Sequence, residues 1–208
     1  MGRSRKTSYI GVCGLVAPPL FVAAILLFGA LRSEYSHLGD AVSELGALGA
    51  PNALAWNLVG FVAVGLSIAA FSWGLFRGTG SWTALLFVGL SGVSFAGTGL
   101  FPADMADLSA PTSRMHILMS LICFVAFVLG ALVLGWRFFA LPGWRGIAIG
   151  SGILGLLALL TMPLREMAVP SGLAQRASFA LYLAWIWLLA LGLWRRGPWP
   201  HPRPHDGH

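Results

Sequence analysis

Long apolar runs separated by short polar islands set the first expectation for this chain. Charged residues cut it into six runs, at about 9–31, 53–75, 82–101, 114–137, 145–165 and 176–195. Each approaches the ~20 residues that a helix needs to cross a hydrocarbon layer ~30 Å thick. The pattern predicts an all-α polytopic membrane protein. Its six transmembrane helices pair as three hairpins that open to the outer side. The fifth and sixth runs are the shortest, and Pro18-Pro19 predicts a kink in the first. That first run follows Arg3, Arg5 and Lys6 as a signal peptide would. It carries no charge from Thr7 to Leu31 and no small-x-small cleavage site before Arg32, so it reads as a retained helix. The expected organisation is a basic segment over 1–8, a membrane domain over 9–195 and a disordered Pro/His-rich tail over 196–208.

Charge adds an orientation. With the N-terminus inside, Arg3, Arg5, Lys6, Arg77, Arg137, Arg145, Arg195, Arg196 and Arg203 share the inner side. Arg32, Arg114, Arg165 and Arg176 face outward, together with every acid except Asp206. The positive-inside rule then places both termini in the cytoplasm of a cell-membrane protein. Composition agrees, with 57% hydrophobic and 10% charged residues, against about 25% charged in soluble domains. Because the charges are sorted by side, the net +6 is no nucleic-acid signal. Cys13 and Cys123 fall inside apolar runs and read as small buried hydrophobes. Trp73, Trp82, Trp136, Trp144 and Trp194 near arginines read as interfacial anchors. Small residues in the third run (Gly89, Gly92, Ala96, Gly97, Gly99) and the fifth (Gly146, Gly150, Gly152, Gly155) predict inner helices of the bundle.

The polar islands hold the candidate chemistry. Ser43-Glu44-Leu45-Gly46 ends the first outer loop, and Phe101-Pro102-Ala103-Asp104 closes the third run. Arg114 and His116 open the fourth run, with His116 at membrane depth and facing protein. Arg165, Glu166, Gln175 and Arg176 form a third outer group. Glu44, Asp104 and Glu166 recur at intervals of roughly 60 residues, the spacing of a helical hairpin. Asn52 is placed to cap the second helix. Asn57 lies one turn inside it and needs a hydrogen-bond partner, with Glu44 or Ser43 in reach.

Taken in this order, these motifs resemble a prokaryotic integral-membrane family, domain-of-unknown-function family 998 (DUF998), over about residues 9–193. The matching positions are Ser43, Glu44, Gly46, Pro102, Asp104 and His116. The resemblance implies a six-helix membrane protein with a polar cluster on one face, and it brings no reaction.

Three functional readings follow from the residues. One is an acidic outer pocket of Ser43, Glu44, Asn57, Asp104, Arg114, His116, Glu166 and Arg176. It would bind a lipid headgroup or small anionic ligand through its arginines, or serve an accessory role. Another is a divalent transition metal ion on Glu44, Asp104 and His116, whose bound water would attack an outer-leaflet lipid. The third is a structural ion-pair network, or a transporter of small solutes. No GxSxG, P-loop, HExxH or GxGxxG motif is present.

Overall fold

The computed structural model describes residues 2–161 and 170–196, and among these the regular structure is helical, with no strand. Six helices follow in order: α1 (Gly2–Ala30), α2 (Ala53–Thr79), α3 (Trp82–Leu100), α4 (Pro111–Phe139), α5 (Arg145–Thr161) and α6 (Ser171–Arg196). All but α5 are long and apolar enough to cross a membrane. The 17 described residues of α5 rise about 26 Å at ~1.5 Å per residue, short of the ~30 Å hydrocarbon layer. Arg165 and Glu166 lie outside the described residues, as does the tail beyond Arg196.

Local chemistry sets the helix ends. Gly80, at φ 67°, closes α2 in the left-handed conformation that a glycine adopts freely. The Ser81 hydroxyl then accepts the Ala84 N–H to start α3. Pro102 follows the end of α3, and Pro111 is the first residue of α4, where its missing N–H costs nothing. The helical course of α1 continues through Pro18-Pro19 without a break. In α2, one α-helical turn at Ala53–Trp56 gives way to a π-helical stretch, Asn57–Ala63, before α-helix resumes.

The helices close a ring in which α1 packs on α2, α2 on α3, α3 on α4, α4 on α5, α5 on α6, and α6 back on α1. Its interior is aromatic. Phe21 of α1 meets Phe95 of α3 at 5.3 Å and Phe179 of α6 at 5.0 Å, both edge-on. Phe127 of α4 lies 5.4 Å from both Tyr182 and Trp185 of α6. Such tilted and edge-on pairs add to the area they bury.

The α2–α3 seam closes on glycine. A Cβ on Gly92 would stand 2.8 Å from the Gly65 carbonyl oxygen, and one on Gly65 would stand 2.6 Å from that of Gly92. The expectation for the fifth run is corrected. A Cβ on Gly146 or Gly152 would meet nothing within 4 Å, and Ile149, Ile153, Leu156 and Leu160 are exposed. Helix α5 turns much of its surface outward, so its glycines do not all mark a helix crossing.

Residues 31–52 fold across one end of the ring, burying Tyr35, Val42, Leu45 and Ala47. The Gly39 carbonyl accepts from Gly172 N–H and from the Ser171 hydroxyl, and the Leu38 carbonyl accepts from Leu173 N–H. These carbonyls satisfy the first turn of α6, whose amides have no partner within the helix. Leu48 N–H donates to the Ala103 carbonyl at 2.8 Å, joining this loop to the α3–α4 loop. At the helix ends away from the loop, Trp73, Trp82, Trp136 and Trp194 are exposed. Trp144 departs from the anchor pattern, since it is buried against Phe138 at 4.8 Å.

Candidate functional site

Ser43-Glu44-Leu45-Gly46 lies in a short 3-10 helix, Val42–Gly46. Its four residues have four different settings. The Glu44 carboxylate turns back to accept the Ala41 N–H at 2.9 Å, closing its own turn. Leu45 is buried in the core. A Cβ on Gly46 would collide with Asn57 and Trp56 of α2. Ser43 alone faces the ring interior, where it lines a cavity. The buried Asn57 amide donates to the Gly46 carbonyl at 2.9 Å, so its partner is the backbone of this motif rather than Glu44 or Ser43. Asn52 holds the cap position in a left-handed conformation, φ 58°, without a side-chain cap bond.

Phe101-Pro102-Ala103-Asp104 laces the second loop. Pro102 has no N–H, so the Thr98 carbonyl, four residues earlier, loses its helical partner. The imidazole of His116 takes that place. Its Nδ1 stands 3.0 Å from the carbonyl oxygens of both Thr98 and Phe101. Two acceptors require a proton on Nδ1, which leaves Nε2 of the neutral ring as an acceptor. Asp104 Oδ1 accepts from the Ala106 and Asp107 amides, and Ser113 Oγ accepts from Asp104 N–H. Asp107 Oδ1 takes both the amide and the hydroxyl of Ser109, which holds its carboxyl below the ordinary value.

Beneath the first loop lies a cavity of about 60 Å³, which adjoins a second of about 290 Å³, near the lower end of the ~300–1,000 Å³ typical of small-molecule sites. Phe61, Phe95, Phe124, Phe127, Phe179 and Tyr182 give it an aromatic lining. Ser43, Thr98, His116, Ser120, Gln175 and Ser178 add polar groups. A second cavity shares Ser43, His116, Ser120, Phe124, Gln175 and Ser178 with it, and extends to Ile117 and Leu121 of α4 and Thr161 of α5. Ile117 and Leu121 are half-exposed on the outer surface of α4, so the joined space reaches the side of the bundle.

Several of the polar groups already have partners, and some do not. The Ser178 hydroxyl shares its one proton between Thr161 Oγ1 and Ala174 O, and Thr98 Oγ1 donates to Phe95 O. Gln175 Oε1 accepts the Val42 N–H, which fixes its amide nitrogen as the free donor. The Ser43 and Ser120 hydroxyls, His116 Nε2 and Gln175 Nε2 have no hydrogen-bond partner among the described residues. Among the described residues, no charged side chain lines either cavity.

The remaining expected site residues are elsewhere. Arg114 is exposed on the first turn of α4. Arg176 clasps the first loop to α6: its guanidinium donates to the Asp40 and Gly172 carbonyls, the Tyr35 hydroxyl and His37 Nδ1, and it lies 5.5 Å from the Tyr35 ring centre. Burial pushes the Tyr35 phenol above its ordinary 10.0, with Arg176 opposing. The ion pair among the described residues is Arg32–Glu34 at 2.7 Å, which lowers the Glu34 carboxyl, in place of the expected pairing of acids with Arg114 and Arg176. Glu166 lies outside the described residues.

The metal expectation gains no support from the described residues. Among the described residues no group of three or more His, Cys, Asp or Glu side chains is placed to hold a metal ion. Glu44 and Asp104 commit their carboxylates to the amides of their own turns, and His116 binds the end of α3. The expected acidic pocket therefore separates into two parts. Its acids and arginines brace the loops, while Ser43 and His116 face the cavity.

Sequence reasoning passed over Ser120, Cys123, Ser178 and the aromatic lining. A signal was present: His116, Ser120 and Cys123 recur at i, i+4 and i+7 on α4, as do Gln175, Ser178, Phe179 and Tyr182 at i, i+3, i+4 and i+7 on α6. A family model described as "Protein of unknown function (DUF998)" matches residues 15–194. No curated protein and no solved structure matches the chain.

Proposed function

We propose, for a chain that belongs to the DUF998 family, that it binds a bilayer amphiphile in the cavity beneath the first loop. The polar end sits among Ser43, His116, Ser120 and Gln175, and the apolar end lies between Phe95, Phe124, Phe127 and Phe179. The observation that carries this reading is the cavity lining, which joins unpartnered polar groups to aromatic rings in one space. Ligand sites are commonly apolar pockets with a few convergent polar groups. Arg176, Asp40 and Tyr35 act on the ligand only indirectly, by holding the loop that brings Ser43 over the cavity.

The setting we assign is six crossings of the cell membrane in three hairpins, with both termini cytoplasmic and the pocket toward the outer leaflet. Support comes from the exposed tryptophans with Arg77, Arg137 and Arg195 at the helix ends away from the loop. Helix α5 makes its crossing with the help of local bilayer thinning.

The test is native mass spectrometry of the purified protein, with Ser120→Trp beside it. Ser120 lines both cavities and makes no hydrogen bond among the described residues, so an indole there fills the space, with the fold followed by thermal melting. A co-purifying lipid that the variant loses supports the reading. Lipid retained equally by both proteins contradicts it.

A further inference from the structure

The polar end of this cavity has a definite hydrogen-bonding polarity, and that narrows the ligand. His116 presents an acceptor at Nε2, because Nδ1 must donate to the carbonyls of Thr98 and Phe101. Gln175 presents donors at Nε2, because Oε1 already accepts from Val42. The assignments are independent, since one rests on the end of α3 and the other on the first loop. A group that satisfies both must donate and accept, and a hydroxyl is the smallest that does. The free hydroxyls of Ser43 and Ser120 rotate to complete either role.

Charge points the same way. Among the described residues, neither cavity is lined by an arginine, lysine, aspartate or glutamate. A phosphate, carboxylate or ammonium head would be desolvated there without a counter-charge, and an unpaired buried charge is costly. Arg176, the nearest basic residue along α6, donates to loop carbonyls, Tyr35 and His37. The exposed, apolar Ile117 and Leu121 border the same space and lead it to the bilayer side of α4.

We infer that the pocket selects an uncharged lipid alcohol, its hydroxyl bridging His116 Nε2 and Gln175 Nε2 while its chain lies on the phenylalanine floor. This rests on the pocket reading above. A long-chain alcohol and a diacylglycerol share that chemistry.

The experiment uses the full chain in phosphatidylcholine nanodiscs and measures equilibrium binding of labelled hexadecanol, dioleoylglycerol, palmitate and dioleoyl phosphatidic acid. At least one of the two alcohols binds, and palmitate and phosphatidic acid bind at least about tenfold more weakly, a difference of ~1.4 kcal/mol. Which alcohol binds tells the free alcohol from the glyceride. Gln175→Glu keeps the acceptor for Val42 and removes the donor, and it weakens the alcohol about tenfold. His116→Asn keeps a donor near Nδ1, removes Nε2 and does the same, with the fold followed by thermal melting.

Equal or tighter binding of palmitate or phosphatidic acid, abolished by Ser120→Trp, overturns the alcohol assignment and leaves the pocket reading standing. Alcohol binding unchanged in both folded variants also overturns it. No binding of any probe overturns both.

Discussion

Two sides of the ring are built on opposite principles. Along the α2–α3 seam, Gly65 and Gly92 bring the two backbones so close that neither tolerates a Cβ. At the loop end of α4 and α6, aromatic rings and polar side chains line a cavity instead. Without water to drive apolar surfaces together, helices in a bilayer join through close packing and hydrogen bonds. A seam closed by glycine is therefore a structural joint. A gap lined by free hydroxyls, an imidazole nitrogen and an amide is unfinished as a joint, and a ligand can complete it.

The largest effect is expected at the closed seam. Gly92→Leu drives a side chain into the Gly65 carbonyl and costs about 3 kcal/mol or more, read as a loss of thermal stability in detergent. A Cβ on Gly146 of α5, an exposed position, meets nothing within 4 Å, and Gly146→Ala changes stability by less than ~0.5 kcal/mol. Comparable losses at both sites would erase the contrast between seam and outward-facing helix.

Next comes the join between loop and helix. Asn57→Leu leaves the Gly46 carbonyl without its donor, at a cost of about 1–3 kcal/mol. His116→Leu orphans the carbonyls of Thr98 and Phe101 at a similar cost. His116→Asn retains most of that stability by keeping a donor in place, and the thermal melts of the two variants separate capping from ligand binding.

The smallest effect is a pH dependence of the Arg176 clasp. Burial raises the Tyr35 phenol above 10.0 in the folded chain. A folded-state value above the unfolded one stabilises fully below 10, and that stabilisation is lost as pH climbs through the folded value. Loop protection from hydrogen exchange, corrected for the intrinsic pH rate, falls over that window in the wild type. In Tyr35→Phe it is weaker but flat.

The helices were legible because apolar runs of membrane length can satisfy their backbones in lipid only as helix. His116 was legible too, as an imidazole just inside the fourth apolar run, and it is buried, although α4 begins five residues before it at Pro111. The roles within Ser43-Glu44-Leu45-Gly46 were not. Nothing in the letters says that a 3-10 turn returns Glu44 to its own amide while aiming Ser43 inward. For the same reason Asp104 read as chemistry and proved to be a turn. Acidic residues at loop ends find a neighbouring amide sooner than a distant partner. The aromatic floor was hidden because rings at helical spacing look alike in a core and in a cavity. The α2–α3 joint was half visible, since Gly92 stood out in the third run and Gly65 did not.

The most direct test of the pocket is photo-crosslinking in native membranes with a diazirine-bearing long-chain alcohol, followed by peptide mapping. The account predicts labels on α4 between His116 and Phe127 and on α6 between Gln175 and Tyr182, lost in Ser120→Trp. Labels confined to outward residues such as Leu86 and Leu156, and unchanged in that variant, would contradict it.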